Sequence, residues 1–254
     1  MHDCDAMPNS FESRVGKRAP EGTPDTVAPE REPRGARRKR ETRARLLEAA
    51  LRLMSEKGAE GVAINEITEA ADVGFGSFYN HFESKEAIYA ALVEWVFEEF
   101  ADTLDRATAD LLDPAEVISV SVRHTLLRAR REPVWGQFLI REGLSARALS
   151  QGLGQRLLRD VQKGAADGRF DVADPLMSVL SVGGTVLAAI AADLQFAIPS
   201  SPMAHGFGTL GFGNEDFPER TASVLLQTLG LSRVEAQEIA HRPLPAVSIS
   251  THAL

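Results

Sequence analysis

The side chains able to do covalent chemistry are few and scattered along this 254-residue chain. Its single cysteine, Cys4, has no partner for an internal disulfide, which fits a reducing compartment such as the cytoplasm. His124, His205 and His241 stand far apart, and no glycine-rich phosphate loop follows a strand. No acid, base and nucleophile set emerges, no metal-ligand spacing and no cofactor signature. The expectation is that the chain is not an enzyme. One stretch does concentrate interacting groups. In "VGFGSFYNHFESKEAIY", residues 73–89, Phe75, Phe78, Tyr79 and Phe82 fall within eight positions, although aromatics make up only 6% of the chain. Ring faces, a phenol, an imidazole (His81) and one lysine (Lys85) offer binding rather than bond-making.

Charge sharpens the question of what is bound. Between Gly58 and Ser84 there is no Lys or Arg, against five acidic residues: Glu60, Glu66, Glu69, Asp72 and Glu83. The net charge of −8 also hides a split. "REPRGARRKRETRAR", residues 31–45, carries eight basic and two acidic residues, so its +6 leaves −14 on the rest. Such asymmetry suggests a basic arm on an acidic body. Neutralising phosphate supplies most non-specific affinity for DNA. If the aromatic stretch faces DNA, Arg37, Arg38, Lys39 and Arg40 are the candidates to track phosphates or enter the minor groove.

The elements that must position these groups can be read from periodicity. Residues 1–36 are rich in Pro and acidic groups, with no apolar run. They read as a disordered extension and not as a signal peptide. From about Arg38, Leu46, Leu47, Ala50, Leu51, Leu53 and Met54 recur at helical spacing up to Lys57-Gly58. "INEITEAA" (64–71) is a second helix, "DVG" (72–74) a turn, and Phe75 to His81 a third helix. Ser84 is placed to cap a long helix from Lys85 to about Thr108. Two short helices across a three-residue turn, backed by a supporting helix, make a helix-turn-helix. Phe78 and Phe82 are expected in its core. Beyond Asp113-Pro114 the chain stays helical, broken at Pro114, Pro133, Gly152–Gly154, Gly168 and Pro175, with a loop at 197–214 and a capping-box signature at Ser232–Glu235. The uncharged run from Pro175 to Ala192 nearly reaches membrane-spanning length, but Ser178, Ser181, Gly183, Gly184 and Thr185 favour a buried soluble helix. The fold class is all-α, with about nine helices.

The run from Gly58 to Ile88 closely resembles the DNA-binding segment of bacterial tetracycline-repressor (TetR) family regulators. The shared positions are Gly58, Gly61, Ile67, Ala71, Val73, Gly76, Phe78-Tyr79, His81-Phe82 and Ser84-Lys85-Glu86. The resemblance implies that Tyr79, His81 and Lys85 meet backbone phosphate. It places Phe75, Gly76 and Ser77 at the front of the recognition helix, with Asn65 and Gly74 completing the candidate surface. Lysine at a helix N-terminus suits an anion in any case. Two positions depart from the family. Asp72 stands where glycine is usual, so the turn must accept Asp in a left-handed conformation. Gly74 replaces Ser or Thr and loses a side-chain contact.

By the same resemblance, residues 37–88 form the DNA-binding domain with its basic arm, 89–242 a ligand-binding and dimerisation domain, and 243–254 a tail. Trp95, Phe100, His124, Arg128, Trp135, Phe138 and Arg141 are the candidate pocket liners, with Glu142 beside them. Gly183, Gly184, Ala188, Ala192 and Leu225 are the candidate dimer contacts on two packed helices. The implied function is a homodimeric repressor of a double-stranded DNA operator, released by an unnamed small-molecule effector, with no membrane partner. The rival is a small-molecule enzyme or carrier with a vestigial helix-turn-helix.

Overall fold

The computed structural model describes residues 33–198, 200–209 and 215–247, and among these every regular element is helical. Helix α1, Arg34–Lys57, runs on from Pro33, whose missing N–H is no loss at a helix start. The expected extension therefore ends sooner than residue 36, because Arg, Ala, Lys and Glu are good helix formers. Residues 1–32, Cys4 among them, lie outside the described residues. Leu46, Leu47, Ala50, Leu51 and Met54 bury one face of α1. The helix stops where Gly58 turns to φ +79° and its N–H reaches the Met54 carbonyl. That conformation favours glycine.

Helices α2, Ile64–Ala70, and α3, Phe75–Phe78, follow, and the chain then turns tightly through Tyr79 to Phe82. The next helix is continuous from Lys85 to Thr108 but not uniform. It consists of α4, Lys85–Val93, a π-helical segment, Glu94–Glu99, and α5, Phe100–Thr108. Ser84 caps it, accepting from the Ala87 N–H at 3.2 Å. The domain boundary expected at residue 88 lies within this continuous helical run. The second half comprises α6, Pro114–Arg131; α7, Pro133–Glu142; α8, Ala146–Ser150; α9, Gly152–Ala166; α10, Pro175–Phe196; α11, Pro202–Gly208; α12, Phe217–Thr228; and α13, Arg233–Ala240. Pro114, Pro133 and Pro175 open α6, α7 and α10, as the breakers predicted, and Asp113, Asp174 and Ser232 supply side-chain caps.

The expected count of about nine helices becomes thirteen α segments among the described residues. The π segment divides one rod, and α11 forms within the stretch read as a loop, where Pro202 again starts the helix. One continuous hydrophobic cluster joins both halves, from Leu46, Ile67 and Phe78 to Phe100, Trp135 and Phe138. Helix α10 differs from expectation. Only 22% of its most apolar stretch is buried, so one chain leaves much of that helix uncovered.

Phe78 is 0% exposed and packs between Tyr79 and Phe82. Truncating a buried Phe costs about 3–5 kcal/mol. Phe78→Ala is expected to lower the urea-unfolding free energy by about that amount.

Candidate DNA-binding surface and effector cavity

The turn between α2 and α3 is set by Asp72, whose φ of +52° lies in the left-handed region. Asp accepts that conformation better than most non-glycine residues. Arg45 of α1 donates to the Asp72 carbonyl at 3.4 Å and steadies the turn. Gly74 is the N-cap of α3 with extended backbone, and its carbonyl accepts from the Ser77 N–H at 2.8 Å. A Cβ added at Gly76 would meet nothing within 4 Å, so that side of α3 is open. Phe75 is 54% and Tyr79 51% exposed, their rings edge-to-face with centroids 5.7 Å apart. Two adjacent aromatic rings held outward form an interaction surface. Asn65 on α2 is exposed, and Ser77 is half-buried.

The positive charge on this face comes from α1. Arg43 lies 5.1 Å over the Phe82 ring. Burial, then repulsion from Lys39 and Arg43, pushes the His81 imidazole below its usual pKa. His81 is therefore neutral at pH 7 and offers a phosphate a hydrogen bond rather than a charge. Its Nδ1 is buried without a partner. Lys85 donates to the Glu60 carbonyl at 3.4 Å, with the Glu60 carboxylate 3.9 Å away, so its charge is partly shared. Arg37, Arg38, Lys39 and Arg40 are exposed, and Arg37 pairs with Glu41 at 2.7 Å. They belong to a helix, not to an extended arm. A helix about 10–12 Å across does not fit a minor groove about 6 Å wide.

In the second half, α5, α6, α7, α8, α9 and α10 line a cavity of about 120 Å³, with apolar walls such as Phe97, Leu104, Ile118, Leu139, Leu157 and Val182. Polar groups enter it from Ser121, Thr125, Asp105, Arg156 and Asp160. Arg156 Nε donates to Asp105 at 2.8 Å and Nη1 to Glu98 at 3.0 Å, and Nη2 pairs with Asp102. Arg159 bridges Asp105 at 2.7 Å and Asp160 at 2.8 Å. Burial raises the Asp160 carboxyl above the usual range. Burial also works against the charged form of Asp105, but the guanidiniums of Arg159 and Arg156 outweigh it and hold its pKa down.

Residues 46–92 match the family described as bacterial regulatory proteins, tetR family, and residues 113–242 match the tetracyclin repressor-like C-terminal domain. The chain belongs to the tetR family. It is 39% identical over 95 residues to the HTH-type transcriptional repressor DhaR of Mycobacterium sp. (strain GP1), covering 37% of this chain and 46% of that protein. The tetR-family chain spans about half the length of the curated relatives it matches. Among solved structures it is similar to RolR in complex with resorcinol, at 36% identity and a TM-score of 0.59, covering 84% of this chain and 100% of that one. A tetR-family regulator from Shewanella sp. PV-4, at 20% identity and a TM-score of 0.60, covers 75% of this chain and 99% of that one, and shares the fold.

None of the seven expected pocket liners of this tetR-family chain lines the cavity. Trp95, Phe100 and Trp135 instead surround the buried Arg128, whose guanidinium lies 5.8, 4.8 and 4.5 Å from their ring centroids. His124 meets the Pro245 carbonyl at 3.0 Å, and Phe138 packs near Tyr89. Arg141 donates to the Ser55 and Glu56 carbonyls at the end of α1, and Glu142 accepts from the Tyr89 hydroxyl at 2.6 Å. Burial, then that carboxylate, pushes the Tyr89 pKa up to about 12. Of the expected dimer contacts, Gly183 and Gly184 line the cavity, Ala188 is exposed, Ala192 is half-buried, and Leu225 is only 1% exposed within its own chain. Sequence reasoning missed Arg43, Arg45, Asp105, Arg156 and Asp160. The cue for the last two was the amphipathic run "GQRLLRD" (154–160), which sets Arg156 and Asp160 one helical turn apart.

Because a Cβ at Gly76 has open space, Gly76→Ala is expected to leave the melting temperature unchanged or slightly higher, the substitution in a helix gaining up to about 1 kcal/mol. DNA affinity of the same variant is expected to fall, because the added methyl stands where a partner would approach. Thermal melts and fluorescence anisotropy on DNA from upstream of the gene separate the two effects.

Proposed function

We propose that this tetR-family chain is a homodimeric transcriptional repressor that acts in the cytoplasm, binds a near-palindromic operator and is released by a small effector. The observation that carries the reading is the joining, in one chain, of an exposed helix-turn-helix face to a largely apolar cavity through shared helices. Residues 34–88 are the DNA-reading part. Phe75, Gly76 and Ser77 face base edges, with Phe75 suited to a thymine methyl. Tyr79, His81 and Lys85 meet phosphates, Asn65 and Gly74 border them, and Lys39 and Arg43 supply charge.

Residues 89–242 sense the effector and dimerise. The uncovered side of α10, with Met177, Ala188 and, on the adjoining α12, Val224, suits a second copy of the chain. Val224 is 55% exposed and takes the place expected for Leu225. A twofold dimer then sets two recognition helices on successive half-sites. The effector is a single-ring compound with hydroxyl groups. A cavity of about 150 Å³ takes benzene, and about 120 Å³ is of the same order, so the space suits one ring and no more, while the Asp105, Arg156 and Asp160 end suits phenolic hydroxyls. The similarity to RolR, solved with resorcinol, supports that class. Helix α7 links cavity to reading head: Leu139 lines the cavity while Arg141 and Glu142 hold α1 and α4. Release requires the effector to bind the two conformations with different affinity.

Two measurements check this. Isothermal titration with resorcinol is expected to show binding that Asp160→Asn weakens by about tenfold, the cost of one mismatched buried hydrogen bond. Equal affinity in both proteins would remove Asp160 from the site. Replacing Arg37, Arg38, Lys39 and Arg40 by Ala is expected to flatten the salt dependence of DNA binding by about 0.9 for each phosphate no longer neutralised. An unchanged slope would mean that these cations stay in solvent.

A further inference from the structure

The rod from Lys85 to Thr108 carries a six-residue π-helical segment, Glu94–Glu99, between the helix that starts at the DNA-facing Lys85 and the helix that walls the cavity. A π turn is less stable than α-helix and marks functional positions in helices. Here it is gripped from outside. Glu98 accepts from the Gly152 N–H at 2.6 Å with one oxygen and from Arg156 at 3.0 Å with the other. Gly152 sits at φ +53°, and a Cβ there would come within 2.8 Å of the Phe97 backbone, so the first turn of α9 lies directly on the segment. Phe97 itself lines the cavity. The Arg156 guanidinium donates to Glu98, Asp102, Asp105 and the Gly152 carbonyl, and both hydrogens of Nη1 are taken, by Glu98 and Gly152.

An effector that accepts from Arg156 Nη1 competes with Glu98 for that donor. We propose that Glu98 is a positioning residue that reports cavity occupancy to the DNA-binding helices: it clamps the π segment to α9, and an effector that draws Arg156 away frees the segment to wind as α-helix. Rewinding turns everything N-terminal to the segment relative to α5, and so moves α4 and Lys85. The inference rests on the reading of the cavity as the effector site, but it makes a separate demand on the ligand-free protein.

The test compares wild type, Glu98→Ala and Glu98→Gln as full chains. It reads operator affinity with and without resorcinol, resorcinol affinity, melting temperature, and hydrogen exchange over residues 94–99. In wild type, resorcinol is expected to weaken operator binding by about tenfold or more, within the usual range of allosteric coupling. Glu98→Ala is expected to bind the operator about tenfold less tightly without resorcinol, to bind resorcinol more tightly because Arg156 is already released, and to exchange faster over residues 94–99, with a melting temperature close to wild type. Glu98→Gln keeps the acceptor for Gly152 N–H and is expected to fall between the two. Should Glu98→Ala fold poorly, Gly152→Ala, which wedges α9 off the segment, is expected to reproduce the loss of operator affinity. A Glu98→Ala protein with wild-type operator affinity and wild-type exchange overturns the inference, whether or not resorcinol binds. Failure of resorcinol to bind wild type overturns the effector class alone, and the ligand-free comparison still decides the role of Glu98.

Discussion

Helix α1 is the constraint on which the DNA-facing half depends. The recognition segment has no cation of its own from Gly58 to Ser84, so any positive charge near it must be carried in from elsewhere. One helix does both jobs. Its C-terminal half buries Leu46, Ala50 and Met54 and packs against α2, α4 and α7, and that packing fixes where Arg43 and Arg45 of the same helix point. Arg43 then lies over Phe82, and Arg45 holds the Asp72 turn. Hydrophobic packing therefore dictates the electrostatics of the surface. This is stricter than a flexible basic arm, because a helix delivers its charges at a fixed register.

The same economy governs the link between the two halves. Arg141 uses the unpaired carbonyls at the end of α1, groups that every helix C-terminus must satisfy somehow. The Tyr89–Glu142 hydrogen bond ties the other supporting helix to α7. The continuous rod from Lys85 to Thr108 adds a covalent connection. These contacts connect the cavity wall directly to α1 and α4.

Much of this was legible in the chain itself. Periodicity located α1, the uncharged run from Pro175 marked α10, and Ser84, Pro114, Pro133 and Pro175 marked helix starts where the structure has them. Phe78 and Phe82 separated from Phe75 and Tyr79 as core from surface. What was not legible is tertiary. Trp95, Phe100 and Trp135 have the size and polarity of pocket liners, yet they close around Arg128 because a buried guanidinium needs ring faces as partners. The charged cavity groups Asp105, Arg156 and Asp160 look in sequence like a solvated helix face, and only the packing of α5 against α9 turns them inward. Periodicity did not mark the π segment either, on which α9 rests through the Gly152–Glu98 hydrogen bond.

The central claim is that a dimer of this chain reads a specific DNA site with the Phe75–Tyr79 face. The most direct measurement is the stoichiometry and specificity of binding to DNA from upstream of the gene at near-physiological salt. Two chains per site, with at least about 10³-fold preference over scrambled duplex, is the predicted result. Binding that does not distinguish the two duplexes, or a single chain per site, would contradict it.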